Sequence, residues 1–156
     1  YTYAHIAVHG FHNTTFPSLS GLEFSNVDIS GNDINGFLSS SEIVHLPWTS
    51  DLTYLSSCES TLGRQIHGEG LIGIARSFLS RGSKYVVSTA WQVNDTTAAE
   101  ISVQFFKELK DSPNDPALAL RKAQLSFINN PDFDETSTPK YWSAFTVQSK
   151  GIEILN

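Results

Sequence analysis

Two short apolar stretches decide the fold: Ala4-His5-Ile6-Ala7-Val8, followed by His9-Gly10, and Leu52-Thr53-Tyr54-Leu55-Ser56-Ser57, followed by Cys58. Runs of this length and composition read as buried strands. Cys58 is the only cysteine in the chain. Side by side and parallel, the two strands bring His9 and Cys58 out at one edge of a sheet. An imidazole beside a thiol can take its proton and leave a thiolate nucleophile. The alternative is a strand-end histidine and a small buried hydrophobe, since free cysteines are often buried.

Working outward, Phe11 to about Asn35 is rich in Gly, Asn, Asp and Ser. It reads as loop, with one short strand near Leu22–Phe24. Ser39-Ser40-Ser41-Glu42 starts a short helix that runs to about Leu46. After Cys58, a polar loop from Glu59 to Gly68 leads into a helix over Glu69–Leu79 that stops at Gly82. Lys84–Ala90 is a β-branched strand. A helix from about Asp95 to Lys110 presents Ile101, Phe105, Phe106 and Leu109 as its apolar face. Another helix spans Ala117–Ile128. Tyr141–Val147 reads as the last strand, and Gly151–Leu155 as a small hairpin partner. Strands alternating with helices predict an α/β fold, a mostly parallel sheet with helices on both faces. Such sheets carry their chemistry at the carboxyl ends of the strands, where His9 and Cys58 both fall.

The totals are consistent with one domain. The 156 residues suffice to bury roughly 70% of the unfolded surface. A net charge of -6 without a Lys/Arg cluster disfavours direct nucleic-acid contact. No run approaches a membrane span or a signal peptide. One cysteine forms no internal disulfide, which points to a reducing, cytoplasmic setting. The chain lacks Met and begins almost inside a strand, so we expect it to be a piece of a longer polypeptide. His5, His9 and His12 are closely spaced, but no acid or thiol cluster accompanies them, so no metal site is expected.

Further motifs carry a family resemblance. His9-Gly10, the segment Leu55–Gly63, the segment Gly68–Leu79, Trp91-Gln92-Val93-Asn94-Asp95 and Pro139–Phe145 resemble CHAT domains. These are caspase-like domains usually attached to TPR helical repeats, related to caspases, metacaspases and separase. The resemblance runs in the family's order to about Val147. Cys58 follows His9 by 49 residues, and the caspase spacing is about 50.

The resemblance implies a caspase–hemoglobinase fold lacking its first strands. Residues 1–156 would then be the C-terminal, catalytic part of the domain, with an upstream segment and TPR repeats as partners. It implies a cysteine endopeptidase acting on protein substrates through His9 and Cys58, with no cofactor. The backbone N–H groups of Gly10 and Cys58 would hold the oxyanion. In metacaspases an Asp stands two residues before the cysteine and in caspases a Gln; here it is Ser56. The Trp91–Asp95 segment resembles the separase Trp-Asp-Val-Thr-Asp stretch near a pocket for arginine. Asp95 matches the second Asp, and Gln92 departs from the first. Ser56, Trp91 and Asp95 are therefore the expected substrate-binding residues. Asp95 has a second reading as the cap of the following helix. Glu69 is expected to be structural, as a loop anchor or a first-turn helix acid. The other functional reading is a catalytically silent interaction domain on the same fold. An esterase is disfavoured, because the serines at Ser39–Ser41 lack the Gly-x-Ser-x-Gly elbow.

Overall fold

The structure is a computed structural model that describes residues 1–13, 15–56, 70–129 and 138–151. Cys58, Glu69, the loop over 59–68 and the hairpin expected beyond Gly151 lie outside the described residues.

The central strand is β5 (Ser50–Leu55), whose six residues are nearly all buried. On one side β1 (Tyr3–Ile6) pairs with it in parallel, with Ile6 opposite Leu55. On the other side β6 (Ser83–Thr89) also runs parallel, with Tyr54 opposite Val87. The fourth strand, β7 (Phe145–Ser149), pairs antiparallel with β6. The sheet order is β1-β5-β6-β7. Three parallel strands put three carboxyl ends on one side, which is where the expected chemistry belongs.

Side chains alternate across a strand, so each face of β5 meets a different set of helices. Leu52 and Tyr54 point into one core, with Ile101, Phe105 and Leu109 of α3 (Asp95–Asp111) and Ala119, Ala123 and Phe127 of α4 (Pro116–Ile128). Leu55 points into the other, with Ile43 of α1 (Ser40–Ile43) and Ile74, Ala75 and Phe78 of α2 (Gly70–Arg81). Helices thus cover both faces, as expected. Phe78 and Phe105 are fully buried, and truncating either to Ala would cost about 3–5 kcal/mol.

Local chemistry sets the helix ends. Ser39 and Glu42 form a reciprocal capping box on α1, satisfying two otherwise orphaned donors. Asp115 caps α4, with Pro116 in its first turn. Between α2 and β6 the chain turns at Gly82, with φ at +149. A Cβ there would lie 2.5 Å from the Trp48 carbonyl oxygen, so no larger residue fits without a shift.

Three expectations need correction. The short strand expected near Leu22–Phe24 is present as β3 (Gly21–Glu23), but it belongs to an unexpected second sheet, paired antiparallel with β2 (His9–Phe11) and β4 (Phe37–Ser39) at the two ends of the loop stretch, in the order β2-β3-β4. Its Leu22 is fully buried in the α2-side core. Tyr141 and Trp142 do not lie on a strand; they belong to α5 (Pro139–Trp142), and β7 begins at Phe145. Pro139 in the first turn fits a helix start. The cap of α3 is Asn94, whose side chain accepts a hydrogen bond from the Thr97 backbone N–H at 2.7 Å. Asp95 is the first helical residue, not the cap.

A polar cluster ties β5 to β6 beneath the indole of Trp48. Thr53 Oγ1 lies 2.7 Å from Ser83 Oγ and 3.0 Å from Ser50 Oγ. The Trp48 indole N–H is shared between Thr53 and Ser83, 3.1 Å from each. Each hydroxyl is buried and hydrogen-bonded, as a closed network requires. Thr53→Val preserves shape but removes the shared hydroxyl. We expect it to cost about 1–3 kcal/mol, read as a lower urea midpoint at unchanged slope.

Candidate active site

The parallel ladder between β1 and β5 ends at Ile6 and Leu55. Beyond Ile6 the chain bends at Val8 and enters β2, so His9 sits on the small sheet rather than on the strand that delivers it. His9 is exposed and Gly10 behind it is buried. In the antiparallel ladder His9 stands opposite Glu23, and Gly10 opposite Leu22. On the β5 side, the Ser56 backbone N–H donates to the Ile6 carbonyl at 3.0 Å, extending the junction one residue past the strand.

A cavity of about 750 Å³ opens at this strand end. β1 and the bend contribute His5, Ala7 and Val8, and β2 contributes His9. Glu23 and Phe24 come from β3 and its end, and Ser56 from the end of β5. The first turns of α3 supply Asp95, Ala98, Ala99 and Ser102. Their presence follows from topology. β6 is parallel to β5, so its carboxyl end is on the same side, and the short connection from Thr89 to Asn94 starts α3 there.

Of the expected site residues, His9, Ser56 and Asp95 line this one cavity. Trp91 is not among its described lining residues. It is partly exposed, and its indole N–H donates to the Lys140 carbonyl at 2.7 Å, tying the loop before α3 to α5. Cys58 and Glu69 lie outside the described residues.

Two titratable lining residues, Glu23 and His5, are not among the site residues expected from sequence. Glu23 lies on the short strand expected near Leu22–Phe24, now β3, but no motif or spacing marks it as a site residue. His5 read as one of several scattered histidines, yet its Nε2 lies 2.7 Å from Ser56 Oγ. The signal for this pair is the register: His5 is opposite Tyr54, and Ser56, two residues on, shares the Tyr54 face. The His5 ring packs edge-on against Tyr54 at 5.0 Å and tilted against Phe106 at 5.4 Å. Loss of solvent on that side lowers the His5 pKa from 6.5. Burial pushes the Tyr54 phenol upward, and its oxygen shares a hydrogen bond of 3.1 Å with Ser102 Oγ. No cluster of three His, Cys, Asp or Glu side chains suited to a metal ion occurs among the described residues. Among them, too, no helix is long and apolar enough to cross a membrane.

The His5 shift has a consequence for stability. A histidine whose folded pKa lies below its unfolded value favours the folded state less as protons bind the unfolded chain. Stability attributable to His5 is therefore present above about pH 6.5 and declines as pH falls toward its folded pKa. We expect the fall in Tm between about pH 7.5 and about pH 5.5 to be smaller in His5→Phe than in the wild-type chain, measured by differential scanning calorimetry.

Comparison with known proteins returns no match among curated proteins. The profile of the CHAT domain, however, matches residues 1–150. With this profile spanning nearly the whole chain, and with the mixed α/β sheet flanked by helices, the protein belongs to the CHAT domain family of the caspase/separase clan.

Proposed function

We propose that this chain carries the catalytic centre of a cysteine endopeptidase, with His9 and Cys58 as its working pair. The observation that carries the reading is the register of β1 with β5. Ile6 and Leu55 are partners at the end of a parallel ladder. His9 follows the one by three positions and Cys58 follows the other by three. A cavity with His9 and Ser56 in its lining lies at that junction. Its size suits a peptide side chain and adjoining backbone.

In this mechanism His9 takes the Cys58 proton, and the thiolate sulfur attacks the carbonyl carbon of the scissile peptide. In this reading the oxyanion falls to the backbone N–H groups of Gly10 and Cys58. His9 then returns the proton to the leaving amine, leaving a thioester on Cys58. Water, deprotonated by the same imidazole, hydrolyses the thioester and frees the enzyme. Asn94 caps α3, and Asp95 in the cavity lining brings a carboxylate toward a basic side chain before the scissile bond.

Peptide-library cleavage by the intact protein tests this. We expect cleavage after Arg or Lys, and a loss of at least about 10³-fold in kcat/KM for both Cys58→Ala and His9→Ala. Asp95→Ala should weaken the preference for basic residues while sparing cleavage itself. Undiminished cleavage by Cys58→Ala would overturn the assignment.

A further inference from the structure

The cavity holds a second histidine that the proposed dyad does not use. His5 is fixed on two sides. Tyr54 and Phe106 grip its ring, and both belong to a ring cluster completed by Phe105. Its Nε2 meets Ser56 Oγ at 2.7 Å, a short and strong contact for a nitrogen and a hydroxyl. Ser56 is fixed as well, since its backbone N–H is tied to the Ile6 carbonyl. Histidine and serine therefore meet as one hydrogen-bonded pair in the cavity lining.

We propose that His5 is a specificity-determining residue: it accepts the Ser56 hydroxyl proton, turns the Ser56 lone pairs toward the bound side chain, and so selects a cationic, N–H-bearing residue. This rests on the reading of the cavity as a peptide-binding site. A neutral imidazole protonated at Nδ1 has its acceptor at Nε2. In this tautomer, the one the proposal assigns to His5, Ser56 donates to it, which leaves Ser56 only acceptor capacity for a ligand. The described lining adds two carboxylates, Glu23 and Asp95, and no Lys or Arg. A guanidinium or ammonium satisfies such a set of acceptors; a carboxylate does not.

Protonation of His5 reverses this arrangement. An imidazolium donates at Nε2, frees the Ser56 hydrogen for the ligand, and places a positive charge in the cavity. Packing against Tyr54 and Phe106 favours the neutral ring at neutral pH. The titratable groups around it are Tyr54 on β5, His9 on β2, Glu23 on β3 and Asp95 on α3. Selectivity for a cation should therefore fall on acidification, and the part due to His5 must be separated from that of His9 and the carboxylates by substitution.

The test uses the intact protein carrying Cys58→Ala, so that no step of catalysis enters the readout. The probes are N-acetyl-argininamide and its neutral isostere N-acetyl-citrullinamide, followed by NMR of the ring nitrogens in histidine-labelled protein. At about pH 7.5 we expect an unprotonated His5 Nε2 and binding of the arginine probe about fivefold or more tighter than the citrulline probe. The ratio should shrink by about pH 5. His5→Gln, whose side-chain carbonyl can still accept from Ser56, should keep the ratio and lose the His5 part of its pH dependence. His5→Phe should lose most of the ratio while remaining folded by circular dichroism. Equal affinities, no binding of either probe, a protonated Nε2 at neutral pH, or full selectivity in His5→Phe would each overturn the proposal. Selective binding by a protein whose wild-type form cleaves no peptide would sink the peptidase reading and leave this one standing. Cys58-dependent cleavage confined to acidic residues would do the reverse.

Discussion

The parallel pairing of β1 with β5 is the constraint on which the site depends. It fixes which residues leave the sheet together. One step of slippage would turn every β1 side chain to the opposite face, taking His5 away from Tyr54 and from Ser56. β1 is itself exposed or half-buried, so the pairing rests on its backbone ladder to a strand that is fixed by burial. Leu52, Tyr54 and Leu55 of β5 are essentially fully buried, and each face of the strand is committed to a different helical layer. Moving β5 would empty both cores.

That rigidity lets short, irregular elements carry the chemistry. The small sheet β2-β3-β4 is built from three-residue strands that could not stand alone. It is anchored through Leu22, buried against α2 and Leu55. His9 is therefore presented by a peripheral element whose position is inherited from the core. The α3 side is fixed comparably, because Ile101 and Phe105 are buried in the other core. The cavity between them is bounded by two elements, each pinned to a different face of the same sheet.

The legible parts of the sequence were those in which burial dominates local pattern. β5 and β6 are continuous apolar or β-branched runs, and α3 and α4 carry apolar residues at helical spacing, so both classes declared themselves. Of the second sheet only β3 did, because β2 and β4 are too short for any period to appear and adjoin sequence rich in Gly, Asn, Asp and Ser. Tyr141 and Trp142 have strand-like chemistry, but Pro139 in the first turn and packing of Trp142 against the α3–α4 core give a helical turn instead. Asn94 and Asp95 are both capable caps, and only backbone conformation distinguishes them: Asn94 is extended, with ψ at 155. His9, Ser56 and Asp95 could be chosen from sequence and do share a cavity. The His5–Ser56 contact could not, since it depends on which residues face each other across a register. Trp91, expected from the resemblance, donates its indole N–H to the Lys140 carbonyl of α5.

The central claim is that His9 activates the Cys58 sulfur, and the pH dependence of Cys58 alkylation by iodoacetamide tests it most directly. In the intact protein, Cys58 should react faster than a free thiol below about pH 8, and His9→Ala should restore the rate and apparent pKa of an ordinary cysteine. Identical alkylation profiles with and without His9 would contradict the account.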